Sequence, residues 1–210
     1  MFQLIDMERN YIEILTGYIE GIKQPIEKLK ILTEPEERLL FCNIEEIKKF
    51  HEELYQILLK RYEKHEKYTT YGDIIKGVIP FFKLYIDYIY QAQNAHSFII
   101  KLIKENENIR EICDKYFIEK HKPASDELLQ PTYKIARYEM LFDEIIKRSN
   151  PSTADYKLFI EAKQQFNSKL TEVNNTVDKI VRRNKLNQLE QEFATEDQPI
   201  LILTEDDMRE

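Results

Sequence analysis

Glycine is scarce in this sequence and is confined to its first part. The four glycines of the 210-residue chain lie at positions 17, 21, 72 and 77, and none follows. A β-rich fold needs turn residues along its whole length, so their absence from the last two-thirds of the chain favours long helices. The abundance of Glu, Lys, Ile and Leu favours helices as well. We therefore predict an all-α fold.

Cysteine is almost absent, and the two that occur stand alone. Neither Cys42 nor Cys113 has another cysteine or a histidine at the spacing of a metal site. We interpret them as two buried thiols and not as a disulfide. This usage predicts a reducing, cytoplasmic compartment and no structural metal.

Long apolar runs and an excess of positive charge are also missing. The net charge of −7 argues against nucleic acid as a partner and against a protein that coats anionic membranes. No apolar run approaches the roughly 20 residues that a membrane span needs, and the segment Met1–Leu4 lacks a signal-peptide pattern.

Apolar residues recur at helical spacing along most of the chain. Thr33 and Glu36 form a capping-box pair around Pro35, and Ser125 is a candidate N-cap for a later helix. The predicted helices cover about 2–32, 36–66, 73–104 (in two pieces), 105–120 and 125–148, followed by a very long last helix that reaches toward residue 189. At ~1.5 Å per residue that last helix extends roughly 55–60 Å.

Residue patterns for bond-making catalysis are missing too. The four histidines are scattered and have no serine or cysteine partner in a nucleophilic arrangement. No glycine-rich phosphate loop occurs, so we predict that the chain binds no nucleotide itself. The sequence predicts neither a cofactor nor a metal ion.

Polar residues interrupt two helical patterns. Glu8 stands in the apolar stripe of the first helix, where a charge is costly unless it lies at the rim or meets a partner; the alternative is a frayed, exposed position. Asn174 and Asn175 interrupt the last helix beside Val173, which indicates either a polar contact or solvent-exposed filler.

The helix after Ser125 carries a second face. Tyr133, Arg137 and Met140 follow one another at i, i+4 and i+7, apart from the inward-facing residues. An aromatic, an arginine and a methionine together are typical of an interface. A broad core stripe with a snorkelling Arg137 is the alternative.

Three segments carry a recognisable pattern: Leu4–Leu15 (LIDMERNYIEIL), Asn43–Leu54 (NIEEIKKFHEEL) and Leu128–Leu141 (LLQPTYKIARYEML). They resemble the conserved regions of one family, the Dbl-homology domains that drive nucleotide exchange on Rho-family GTPases. The similarity covers about residues 2–185, with the three segments in the family's order. The resemblance implies an elongated helical bundle of the Dbl-homology type with a very long C-terminal helix.

The resemblance also implies a partner and site residues. In this family the domain grips a Rho, Rac or Cdc42-type GTPase across both switch regions and accelerates GDP release and GTP loading. Carried over by position, Glu8 engages switch I, while Arg137 and Asn174 hold switch II. The further GTPase-binding positions are Leu129, Tyr133 and Met140. Because Met7, Gln130, Tyr133 and Lys134 depart from the family pattern, partner choice transfers less readily than the activity.

The end of the chain differs in composition from the rest. We predict an exchange-factor domain over 1–190 and an acidic tail over 191–210, which contains the apolar run Pro199–Leu203. This run is an edge strand, a docked tail or the start of a pleckstrin-homology domain, which usually follows in this family. Recruitment to the plasma membrane would then belong to a domain outside this chain.

Two other functions compete with exchange. A dimeric, membrane-curving bundle of the BAR type needs a basic concave face, which the sequence pI of about 5.3 disfavours. A bundle of the same fold that binds a GTPase without releasing its nucleotide is the second alternative.

Overall fold

The computed structural model describes residues 2–64 and 70–193, with side chains for 3–64 and 70–186. These residues are almost entirely helical and contain no strand, which confirms the all-α prediction. The tail from 194 onward, including the apolar run, lies outside the described residues. The α-helices are α1 (Phe2–Tyr18), α2 (Gln24–Leu29), α3 (Glu34–Phe41), α4 (Ile44–Glu63), α5 (Gly72–Val78), α6 (Tyr85–Glu105), α7 (Glu107–Lys120), α8 (Ala124–Glu127), α9 (Gln130–Arg148) and α10 (Ala154–Phe193).

The first predicted helix is interrupted by a wider turn. A π-helical turn, Ile19–Lys23, joins α1 to α2, and the chain leaves α2 at Lys30 with a left-handed φ of 53°. Gly21 lies in this turn, where a Cβ atom would stand 2.7 Å from the Tyr116 ring of α7. Glycine therefore lets the first helical segment lie directly against α7.

Two predicted helix boundaries are wrong, although the capping box at Thr33 is confirmed. The helix predicted over 36–66 breaks at Cys42, whose φ of 43° ends α3 before α4 begins; residue 66 itself lies outside the described residues. Ser125 caps no long helix. Pro123 instead precedes the short α8, so Ser125 lies inside that helix, and α9 begins at Gln130.

Aromatic side chains fill the centre of the bundle. Phe82 follows α5 in a 3₁₀ turn, and its ring lies edge-on to Tyr138 of α9 at 5.1 Å and to Phe166 of α10 at 5.2 Å. Phe142 is 5.3 Å from Phe166. Because these rings come from three parts of the chain, they fix α9 against α10.

The start of α5 is clamped onto the start of α10. The Asp155 carboxylate accepts hydrogen bonds of 2.8 Å from the backbone N–H groups of Tyr71 and Gly72. A Cβ atom on Gly72 would stand 2.6 Å from the Cβ of Leu158, so only glycine allows this approach. An acceptor at the N-terminus of α5 satisfies N–H groups that the helix leaves unpaired.

Candidate functional site

Helix α9 has one buried face and one exposed face, as predicted. Ile135, Tyr138 and Phe142 are buried. Tyr133 is 49% exposed and Met140 is 69% exposed, with the exposed Arg137 between them. These three residues form what we call the α9 outer face. The alternative of a broad core stripe is therefore wrong.

A groove separates the α9 outer face from α1. Asp6, Met7 and Asn10 of α1 line one side and Arg137 lines the other, with Lys134 beneath. We call it the α1–α9 groove. The groove is a concave surface lined by four kinds of side chain: the exposed guanidinium of Arg137, the half-buried Met7, the amide of Asn10 and the carboxylate of Asp6.

The remaining predicted contact positions lie near the start of α9 and on α10. Leu129 precedes α9, is half-buried and packs against the core. Asn174 and its neighbour Asn175 are exposed on α10, directly after the buried Val173. Helices α9 and α10 pack against each other. The structure thus leaves Arg137, Asn174, Tyr133 and Met140 accessible to a partner.

Glu8 is placed differently, because its side chain has no exposed surface. Its Oε2 is 2.5 Å from Nδ1 of His51 on α4. Its Oε1 accepts from Nζ of Lys134 at 2.8 Å and from the hydroxyl of Tyr138 at 2.5 Å. We call these four residues the Glu8 cluster. The alternative that Glu8 is a frayed surface residue is therefore wrong.

Two further groups complete the surroundings of the Glu8 cluster. Nε2 of His51 lies 2.6 Å from the hydroxyl of Tyr85 on α6. A neutral His51 that donates from Nδ1 to the carboxylate leaves Nε2 free to accept from Tyr85. Nζ of Lys134 also lies 4.6 Å from the centre of the Tyr11 ring, where a cation is attracted to the π face. The cluster thereby joins α1, α4, α6 and α9.

The charges of the Glu8 cluster depend on one another. Burial by itself raises the pKa of Glu8, but the charge of Lys134 and the hydrogen bonds from His51 and Lys134 outweigh burial and lower it to about 2. Burial lowers the pKa of His51 below its ordinary 6.5, although Glu8 opposes this. Burial likewise lowers the pKa of Lys134. At neutral pH the Glu8 carboxyl is therefore ionised and the His51 imidazole is neutral.

We expect the protein to lose stability as the pH falls below 6.5. An unfolded His51 takes up a proton near its ordinary pKa, whereas the folded one resists, so its contribution is present above pH 6.5 and declines as the pH approaches the folded pKa. The free energy of unfolding, measured by urea titration between pH 7.5 and 5.5, should fall by up to about 1.4 kcal/mol per pH unit from this group.

His51→Gln is the comparison that isolates this histidine. The variant should show a shallower pH dependence over the same range, because glutamine does not titrate there. Above pH 5.5 the Glu8 carboxyl, whose ordinary pKa is 4.5, contributes little to the slope. Equal slopes for the two proteins would contradict the assignment.

In the part of the chain that the structure describes, no three His, Cys, Asp or Glu side chains are grouped so as to hold a metal ion. None of its helices is both long and apolar enough to cross a membrane.

A family model of the RhoGEF domain matches residues 1–174. The chain belongs to the RhoGEF domain family. The predicted Dbl-homology resemblance is thereby confirmed. FYVE, RhoGEF and PH domain-containing protein 4 of Mus musculus is 26% identical over 157 residues, which are 70% of this chain and 20% of that protein. Intersectin-1 of Homo sapiens is 23% identical over 181 residues, 83% of this chain and 10% of that protein. The chain thus spans a fifth or less of these two relatives.

Solved structures of RhoGEF proteins share the fold. A structure of the Vav1 exchange factor superposes with a TM-score of 0.82 at 16% identity and covers 94% of this chain and 54% of its own. Human RhoA in complex with the DH/PH fragment of PDZRHOGEF gives a TM-score of 0.78 at 17% identity, over 90% of this chain and 56% of that one. The Dbl-homology bundle with its long last helix is therefore confirmed, since α10 spans 40 residues.

Sequence patterns alone left part of the Glu8 cluster unrecognised. In the sequence, Lys134 stands out only as a departure from the family pattern, and His51 is one of four scattered histidines. A signal for both existed. Lys134 lies four residues before the buried Tyr138, and His51 lies four residues after the buried Ile47, so each occupies an inward-facing position on its helix.

Proposed function

We propose that this domain is a guanine nucleotide exchange factor that binds a Rho-family GTPase and accelerates release of its GDP. The observation that carries the proposal is the α9 outer face, which exposes an aromatic, an arginine and a methionine beside the α1–α9 groove in a RhoGEF-family chain. Such residues are enriched at the energetic centres of interfaces. A structure of human RhoA bound to a RhoGEF fragment supports the class of partner.

Exchange by such a domain is a matter of differential binding. The domain binds the nucleotide-free GTPase more tightly than the nucleotide-bound form, so by linkage it weakens nucleotide binding by the same factor. We propose that Arg137 and Asn174 contact switch II and that Leu129, Tyr133 and Met140 supply apolar contacts. A direct contact of Glu8 with switch I stays a prediction, and it would require the carboxylate to leave its three buried partners.

Release of a fluorescent GDP analogue from a panel of Rho, Rac and Cdc42-type GTPases tests the proposal. The wild-type domain should accelerate release from at least one of them. Arg137→Ala and Asn174→Ala should each slow that stimulated release by about 10- to 30-fold, the loss expected when an interface hot spot is truncated.

Two control variants lie outside the proposed contact residues. Asn175→Ala changes the exposed neighbour of Asn174, and Arg110→Ala removes an exposed arginine from α7. Both should exchange at the wild-type rate. A wild type that accelerates no member of the panel would overturn the proposal, and complex formation without GDP release would identify a GTPase-binding scaffold instead.

A further inference from the structure

The Glu8 cluster lies directly under the proposed partner surface but is closed to solvent. The side chains of Glu8, Lys134 and Tyr138 have at most 1% exposure. Lys134 precedes Arg137 by three residues and follows the exposed Tyr133. Lys134 and Tyr138 are therefore each next to a residue that a partner can reach, Tyr133 and Arg137 respectively.

We propose that Lys134 and Tyr138 are positioning residues for exchange, and that Glu8 acts with them from the interior by fixing α1 against α9. The proposal rests on the proposed function and deepens it. It assigns to Lys134 and Tyr138 an effect on the shape of the α1–α9 groove, separate from any contact that the Glu8 carboxylate makes with the GTPase.

Lys134 spans the boundary between the two helices. Its Nζ donates to Oε1 of Glu8 at 2.8 Å and to the backbone carbonyl of Met7 at 3.2 Å. The second bond holds the α1 backbone itself, at a residue that lines the groove. Loss of the ammonium group would free the Met7 side of the groove to move relative to Arg137.

Tyr138 holds the same carboxylate oxygen as Lys134. Its hydroxyl donates to Oε1 of Glu8 at 2.5 Å, while its ring packs between Phe82 and Phe142. A carboxylate held by groups on α4 and α9 cannot shift without leaving a buried ammonium unpaired, which is strongly unfavourable. The cluster therefore defines one spacing of α1 and α9.

Two variants test the positioning role. Lys134→Met removes the ammonium and Tyr138→Phe removes only the hydroxyl. If the cluster positions the groove, each variant should slow stimulated GDP release by at least about 10-fold at saturating exchange factor. Exchange that is unchanged or faster in both variants would overturn the proposal.

Conservative and matched variants separate positioning from loss of folding. Lys134→Arg keeps the charge and the donors and should restore exchange to within about threefold of wild type. Tyr88→Phe removes another buried hydroxyl, which donates to the Leu128 carbonyl at 3.0 Å away from the Glu8 cluster, and should exchange normally. Exchange rates are compared only among variants that keep the helical circular dichroism of the wild type, at a temperature well below their melting temperatures.

The wild type distinguishes failure of the proposed function from failure of the positioning role. A wild type without activity on any GTPase would overturn the proposed function. An active wild type whose activity survives both Lys134→Met and Tyr138→Phe would overturn only the positioning role. Equal slowing by Tyr88→Phe and Tyr138→Phe would also overturn it, because the loss would then follow stability and not the cluster.

Discussion

Glu8→Ala should lower the free energy of unfolding by about 3–5 kcal/mol, the cost of leaving one partner of a buried ion pair uncompensated. The variant leaves the ammonium of Lys134 in the interior without its carboxylate partner and removes the acceptor for Tyr138 and His51. Urea titration at pH 7.5 measures the change, which should appear as a lower midpoint with a nearly unchanged slope.

Asp6→Ala is the matched control for that variant. Asp6 lies two residues earlier on α1, and its carboxylate pairs with Arg9 at 2.6 Å while remaining partly exposed. Such pairs contribute little, so its loss should cost less than about 1 kcal/mol. If the two variants were equally stable, the Glu8 carboxylate would not be what compensates Lys134.

Because Glu8→Ala is expected to be strongly destabilised, a loss of exchange in this variant alone cannot distinguish a lost contact with the GTPase from a loss of folded protein.

Phe166→Ala should be destabilising to a similar extent, by about 3–5 kcal/mol. Its ring is 2% exposed and lies within 6 Å of the rings of Phe82, Tyr138 and Phe142. The substitution leaves a cavity between α9 and α10 that close-packed aromatic neighbours fill poorly. Chemical denaturation monitored by circular dichroism gives the loss directly.

Phe81, which precedes Phe82 in the chain, provides the comparison for Phe166. It is 53% exposed, and its ring stacks on Phe50 at 6.1 Å. Phe81→Ala removes the same atoms from a half-open site and should cost about 1 kcal/mol or less. Equal losses for the two variants would mean that the aromatic cluster is not the packing centre of the bundle.

Helix periodicity was enough to predict most of the fold. The predicted spans match α7 and the body of α10, because long amphipathic patterns depend little on their surroundings. The break at Cys42 was missed, since a left-handed residue without glycine leaves no local sequence signal. The start of the helix predicted from Ser125 is wrong, because the chain forms the short α8 after Pro123 and α9 begins only at Gln130. Where such a short helix ends depends on tertiary packing, which the local sequence does not show.

The site was predictable in part, and for two different reasons. The exposure of Tyr133, Arg137 and Met140 follows from helical spacing and could be read from the pattern. The burial of Glu8 could not, because its compensation comes from His51 and Lys134, which lie 43 and 126 residues away along the chain. Whether a charge in an apolar stripe is tolerated depends on such long-range partners.

The packing of α10 restricts how Asn174 can move. The helix is held at Phe166 among the core rings, at the buried Val173 and Leu186, and by a hydrogen bond from Asn184 to the hydroxyl of Tyr90. These points lie on both sides of Asn174 and span about 30 Å of helix, so the helix cannot tilt about one of them without loosening another. The proposed contact residue is therefore presented at one fixed position before any partner arrives.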